Sequence, residues 1–166
     1  MTSIDRLFDA LKQYNITAVV TLHTRPGGIE YETITSPRWG RVSGPPKDEK
    51  DYELIYKAYK AYFQYVYDRY GQEYFDTLRF EFWNEPDGSD RFFAGTVNDY
   101  FIWYSWAAKA LKDVSSTGKI GGPAVTGGGF DFTKAFLALC HDGDNPATGG
   151  KGAPVDFVSF HTYGWR

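Results

Sequence analysis

The chain has a single cysteine, Cys140, in 166 residues, so no disulfide can close within it, and no CxxC pair or His/Cys cluster has the spacing of a zinc site. Positive charge is scarce and scattered. Eighteen Lys and Arg stand against 21 Asp and Glu, a net charge of −3, and no basic run forms a stripe for phosphates; nucleic acid is therefore not an expected partner. No apolar run approaches the ~18 residues of a membrane span, so no membrane partner is expected. The start, Met1-Thr2-Ser3-Ile4-Asp5-Arg6-Leu7, lacks a signal-peptide apolar core, and localisation stays open. GxGxxG and P-loop motifs are absent, which removes the usual signatures of nucleotide-binding sheets. What the chain does have is 42% hydrophobic and 23% charged residues, enough for an ordinary core in one domain or part of one. Aromatics reach 19%, above what a core needs, and many fall near predicted strand ends and loops.

Helical and extended patterns alternate along the chain. Ile4, Leu7, Phe8 and Leu11 recur at helical spacing behind a Thr2/Ser3 cap, and Ile16 to Leu22 reads as a buried strand. His23 to Lys50, with Pro26-Gly27-Gly28, Trp39-Gly40 and Gly44-Pro45-Pro46, reads as a long loop overhanging a site. Residues 51–70 form a helix whose tyrosines lie mostly on its inward half, ended by Gly71. A strand over 78–84, a helix over Val97 to Val114, a short strand at Lys119 to Gly122, a helix from about Phe132 to Cys140, a glycine-rich loop at 142–153 and a strand at 156–160 follow. Strands alternating with helices of this length argue for a parallel sheet with right-handed crossovers. A doubly wound sheet and a (β/α) barrel both satisfy that rule.

The segment Phe80-Glu81-Phe82-Trp83-Asn84-Glu85-Pro86-Asp87 sets a carboxylic acid beside an amide where an apolar strand ends, because Pro86 cannot donate to the ladder. In α/β folds the C-terminal mouth of a strand is where ligands bind and catalytic side chains emerge. His161 and Tyr163 also stand two apart at a strand end and share a face. Glu81 precedes Glu85 by four strand positions, so both point inward; a charge there needs a partner, and an interior arginine or lysine is expected for Glu81.

Trp83-Asn84-Glu85-Pro86 resembles the acid/base signature on the fourth barrel strand of clan A glycoside hydrolases, and Val155 to Gly164 is similar to the His-x-Tyr ending of the sixth strand. Between them, Ile120-Gly121-Gly122-Pro123 and Leu139-Cys140-His141-Asp142-Gly143 resemble family 39, which contains β-xylosidases and α-L-iduronidases. The resemblance implies part of a TIM (β/α)8 barrel, about four parallel strands, the third to the sixth, with residues 1–166 as a single incomplete catalytic domain. It implies O-glycosyl hydrolysis with retention, for which two carboxyls stand about 5–5.5 Å apart. Glu85 matches the acid/base, with a pKa expected to be raised by an apolar pocket and a negative nucleophile. Asn84 matches the amide that bonds the sugar 2-hydroxyl, and His161 and Tyr163 match residues that bond nucleophile and sugar. His23 carries a weaker match; Trp39, Trp83 and Trp165 are candidates to stack on sugar rings, and His141 is read as a helix cap. The nucleophile, a glutamate ending the seventh strand, is expected beyond Arg166. The isolated chain is then expected to be silent, and its open sheet edges to favour self-association. The implied substrate is a xyloside or a uronide, for which Arg25, Arg38, Arg41 and Arg166 are candidate partners; no metal or cofactor is required. Two other readings fit the same residues: an endo-acting polysaccharide hydrolase of the same clan, and a non-catalytic carbohydrate-binding half-barrel.

Overall fold

The computed structural model describes residues 3–23 and 25–164. Thr2 of the expected Thr2/Ser3 cap, like Trp165 and Arg166, lies outside the described residues. The first helix, α1 (Ser3–Gln13), leads through Asn15, at φ 53°, into β1 (Val19–Leu22). The expected long loop is instead an antiparallel hairpin, β2 (Tyr31–Ser36) and β3 (Gly40–Pro46). Its sequence signal was the stretch Tyr31-Glu32-Thr33-Ile34-Thr35, rich in β-branched residues, and its turn closes at Gly40, whose φ of 73° favours glycine. Of the proline and glycine punctuation that argued for a loop, Pro26-Gly27-Gly28 precedes the hairpin, Gly40 closes its turn and Gly44-Pro45-Pro46 lies within β3.

Helix α2 (Asp51–Tyr70) buries Tyr52, Ile55, Tyr59, Phe63, Val66 and Tyr70 at three- and four-residue spacing and stops at Gly71, φ 81°. A short turn of helix, α3 (Gln72–Phe75), precedes β4 (Arg79–Phe82). Helix α4 (Val97–Val114) opens on a capping box: the Thr96 hydroxyl accepts from the Asp99 backbone N–H, and the Asp99 carboxylate accepts from the Thr96 N–H at 2.8 Å. Strand β5 (Lys119–Val125) runs three residues past its expected end, because Pro123 is accommodated where the pairing register shifts. Helix α5 (Phe130–Asp142), a two-stranded ribbon of β6 (Asp144–Asn145) and β7 (Gly150–Lys151), and β8 (Phe157–Phe160) complete the order. His141 sits in the last turn of α5.

The main sheet is parallel throughout, in the order β1-β4-β5-β8. Chain order and spatial order agree, so the winding never reverses; a doubly wound sheet would reverse at a switch point. Side-chain parity splits the sheet into two faces. Leu22, Phe80, Phe82 and Ile120 point to the helices and are buried. There they meet α2 and α4: Phe63 packs edge-on to Phe80 at 4.9 Å, and the Tyr100 hydroxyl donates to the Phe82 carbonyl at 2.8 Å. The other face carries Val19, Thr21, Arg79 and Glu81. The consequence for function is geometric: the C-terminal ends of all four strands open on one side, and the loops bearing His23, Glu85, Thr126 and His161 gather there.

Candidate active site

Glu85 follows β4 through a turn that ordinary residues seldom make. Trp83 and Glu85 both have positive φ, 69° and 48°; such positions cost of order 1–3 kcal/mol each and persist only where their surroundings hold them. Three backbone bonds do so. The Trp83 N–H donates to the Leu22 carbonyl at 3.1 Å, the Glu85 N–H to the Ala124 carbonyl at 3.0 Å, and the Gly88 N–H to the Glu85 carbonyl at 3.0 Å. The Glu85 side chain is thereby set at the mouth between β4 and β8, and the residue is only 5% exposed.

Two side chains from the end of β8 converge on its carboxyl. His161 Nδ1 lies 2.8 Å from Glu85 Oε1, and the Tyr163 hydroxyl donates to the same oxygen. An ionised carboxylate only accepts, so Nδ1 carries the proton of that bond. The His161 backbone N–H in turn donates to the Val125 carbonyl at 2.8 Å, which ties β8 to β5. Burial acts to raise the Glu85 pKa, but the bonds from Tyr163 and His161, with the charges of His161 and Arg91 adding to them, outweigh it and hold the carboxyl below its ordinary value. That is opposite to the direction expected for a proton donor at neutral pH. The reason is the surroundings: the groups that hold Glu85 low are hydrogen-bond donors or positive charges. The Glu85 bond raises the Tyr163 phenol correspondingly.

The remaining expected residues divide. Asn84 is half-buried beside Glu85, and among the described residues no side-chain bond engages its amide. His23 ends β1 at the same mouth, exposed on one side and packed edge-on to Trp83 at 4.5 Å; burial and Arg25 both lower its pKa. Trp83 itself is fully buried, its indole N–H donating to the Phe92 carbonyl and its ring packed on Phe93 and Trp103. It offers no face to a sugar; its positive φ turns the ring back into the core. Trp39, on the hairpin, is 47% exposed, with the Arg38 guanidinium over its ring and Phe92 beside it. Glu81 does not meet the expected cation: it accepts from the Thr21 hydroxyl at 3.0 Å, while Arg79, its neighbour on the same face, turns back to the carbonyls of Asp76, Thr77 and Leu78. Sequence reasoning missed three contributors. Asp87 binds the Thr126 backbone N–H and hydroxyl, Arg91 supplies positive charge near Glu85, and the Ala124 carbonyl fixes the Glu85 backbone. Only Asp87 left a trace, as the last residue of the Asn-Glu-Pro-Asp run.

The sequence profile of "Glycosyl hydrolases family 39" matches residues 1–166. The chain belongs to glycosyl hydrolase family 39. It is 32% identical over 162 residues to a β-xylosidase of Geobacillus stearothermophilus, an alignment covering 98% of the chain and 30% of that enzyme. It is also 32% identical over 102 residues to the α-L-iduronidase of Homo sapiens, covering 59% of the chain and 16% of the relative. The solved family 39 β-xylosidase of Caulobacter crescentus superposes with a TM-score of 0.75 at 30% identity, over 98% of this chain and 33% of that one. The chain thus spans about a third of the length of these β-xylosidases. Its α/β fold with a four-stranded parallel sheet is the fold class the resemblance implied, and the solved enzymes it superposes on are family 39 TIM barrels. Among the described residues no helix is long and apolar enough to cross a membrane.

Proposed function

We propose that this family 39 chain carries the acid/base part of a retaining, β-xylosidase-like site, with Glu85 as the carboxyl that protonates the leaving oxygen and later activates water. The observation that carries the reading is the convergence of His161 and Tyr163 on a buried Glu85 at the strand mouth. Asn84 is assigned to the sugar 2-hydroxyl, where a bond strengthens as the ring becomes oxocarbenium-like. His161 and Tyr163 orient Glu85, and His23 borders the sugar. The ligand is a carbohydrate; a xyloside is favoured because the β-xylosidases align over nearly the whole chain and the iduronidases over part of it.

Retention needs a second carboxyl about 5–5.5 Å from the first. The two carboxylates nearest in sequence are engaged elsewhere, Asp87 with Thr126 and Glu81 with Thr21. The nucleophile is assigned, as the family resemblance implies, to a segment outside the described residues. Its negative charge would also raise Glu85 to the range an acid needs. Calorimetric titration of the chain with xylobiose tests the reading. Binding that weakens at least about tenfold in Glu85→Ala, roughly 1.4 kcal/mol, is expected; absence of binding by the parent chain sinks it.

A second reading, a carbohydrate-binding half-barrel without turnover, is favoured by one observation: Glu85 is held low, and an ionised carboxylate is an acceptor for sugar hydroxyls. Xylobiose binding that survives Glu85→Ala would select it.

A further inference from the structure

The loops that follow β4, β5 and β8 form a closed ring of bonds. The Glu85 carboxyl reaches His161; the His161 N–H reaches the Val125 carbonyl; the next residue, Thr126, gives its backbone N–H to Asp87 Oδ1 at 3.0 Å and its hydroxyl to Asp87 Oδ2; and Asp87 is two residues from Glu85. The packing around the Asp87 carboxylate is close. A Cβ on Gly129 would sit 2.7 Å from Asp87 Oδ2 and 2.4 Å from the Val125 Cβ, so only glycine fits beneath it. Within the ring, the Asp87 side chain fastens the strained Glu85 turn to the loop that leaves the neighbouring strand β5.

We propose that Asp87 is a positioning residue: by clasping Thr126 it holds the Glu85 carboxyl within bonding distance of His161 and Tyr163. Its consequence for catalysis rests on the reading of Glu85 as acid/base, but the geometry it sets is measurable without turnover. Charge and geometry act on Glu85 in opposite directions. Removing the negative charge of Asp87 alone would push the Glu85 carboxyl further down. Releasing the clasp loosens the bonds from His161 and Tyr163, which now hold Glu85 low, and lets it rise. Arg91 and His161 are the positive groups that act on Glu85, and the Asp87 charge also acts on Tyr163.

The test is the titration of Glu85 in the 166-residue chain, followed by carbon NMR of labelled glutamate carboxyls and assigned with Glu85→Gln. Asp87→Ala should move Glu85 upward, toward the ordinary carboxylate range. Asp87→Asn, which keeps an oxygen for the Thr126 N–H, should leave Glu85 below that of the alanine variant. Thr126→Val, which loses only the hydroxyl bond, should move Glu85 upward by less than Asp87→Ala and serves if that variant does not fold. A Glu85 that stays put or falls in Asp87→Ala and in Thr126→Val overturns the proposal and leaves Asp87 as a charge or a stability residue. Failure of the functional reading looks different: Glu85 shifts as stated, while xylobiose binding ignores Glu85→Ala.

Discussion

Replacing His161 by phenylalanine isolates the bond that most clearly defines the site. The ring volume is nearly kept, and what is lost is a donor at 2.8 Å from a carboxylate whose side chain is 7% exposed; the imidazole itself is 33% exposed. Hydrogen bonds to charged groups contribute about 1.5–3 kcal/mol, and the partial exposure of the imidazole lets water replace some of that, leaving about 1–2 kcal/mol. For a chain of this size, each kcal/mol moves the melting midpoint by about 2–4 °C, so a loss of about 2–8 °C is expected at neutral pH. The cost must depend on pH in one direction. Glu85 is lowered in the folded chain, so its stabilisation is present in full above the ordinary carboxylate value and is lost as pH falls through the lowered folded value. Melts followed by circular dichroism should show the parent and variant converging in acid. A double-mutant cycle with Glu85→Gln should shrink the cost of His161→Phe at neutral pH. An equal cost at both pH extremes and in the Gln background would mean that His161 stabilises by packing alone, and would refute the assignment.

Other expectations follow from the same geometry. Gly129→Ala should destabilise by about 1–3 kcal/mol in urea titration, because the new methyl meets the Val125 Cβ, which cannot move away as a flexible side-chain end would; an unchanged midpoint would contradict the close packing. Burial pushes the Cys140 thiol up to about 12, so the native chain should resist a disulfide reagent at neutral pH until denaturant is added. Rapid labelling of native protein would place that thiol at the surface. Val19, Val158 and Phe160 on the outer strands β1 and β8 are exposed, and among the described residues each of these strands is paired on one side only. Sedimentation of the 166-residue chain should therefore reveal concentration-dependent association, and a single monomeric species at all loadings would speak against it.

The alternation of helix and strand was legible because the buried positions of α2 and α4 follow helical spacing and the strand runs are short, apolar and punctuated by glycine. The hairpin was not. Gly44-Pro45-Pro46 lies within β3, where residues that usually break strands sit on a two-stranded edge that asks little of them. Pro123 misled in the same way and cut β5 short before Ala124 and Thr126, the residues that fix the Glu85 turn. Trp83 was a candidate sugar platform, but its positive φ after β4 turns the ring into the core, which its place at a strand end did not reveal. Glu85, His161 and Tyr163 were named from sequence because each ends a strand in a known motif. Their mutual bonds, and the downward shift of Glu85, belong to the three-dimensional arrangement and left no local signal.

The central claim is that Glu85 is the reactive carboxyl of a carbohydrate site at the strand mouth. An epoxyalkyl β-xyloside presents a sugar to that site and an electrophile to any carboxylate beside it, so mass mapping of the labelled chain reports directly. The account predicts one adduct, on Glu85, that free xylobiose suppresses. Labelling scattered over surface carboxylates and insensitive to xylobiose, with Glu85 unmodified, would contradict it.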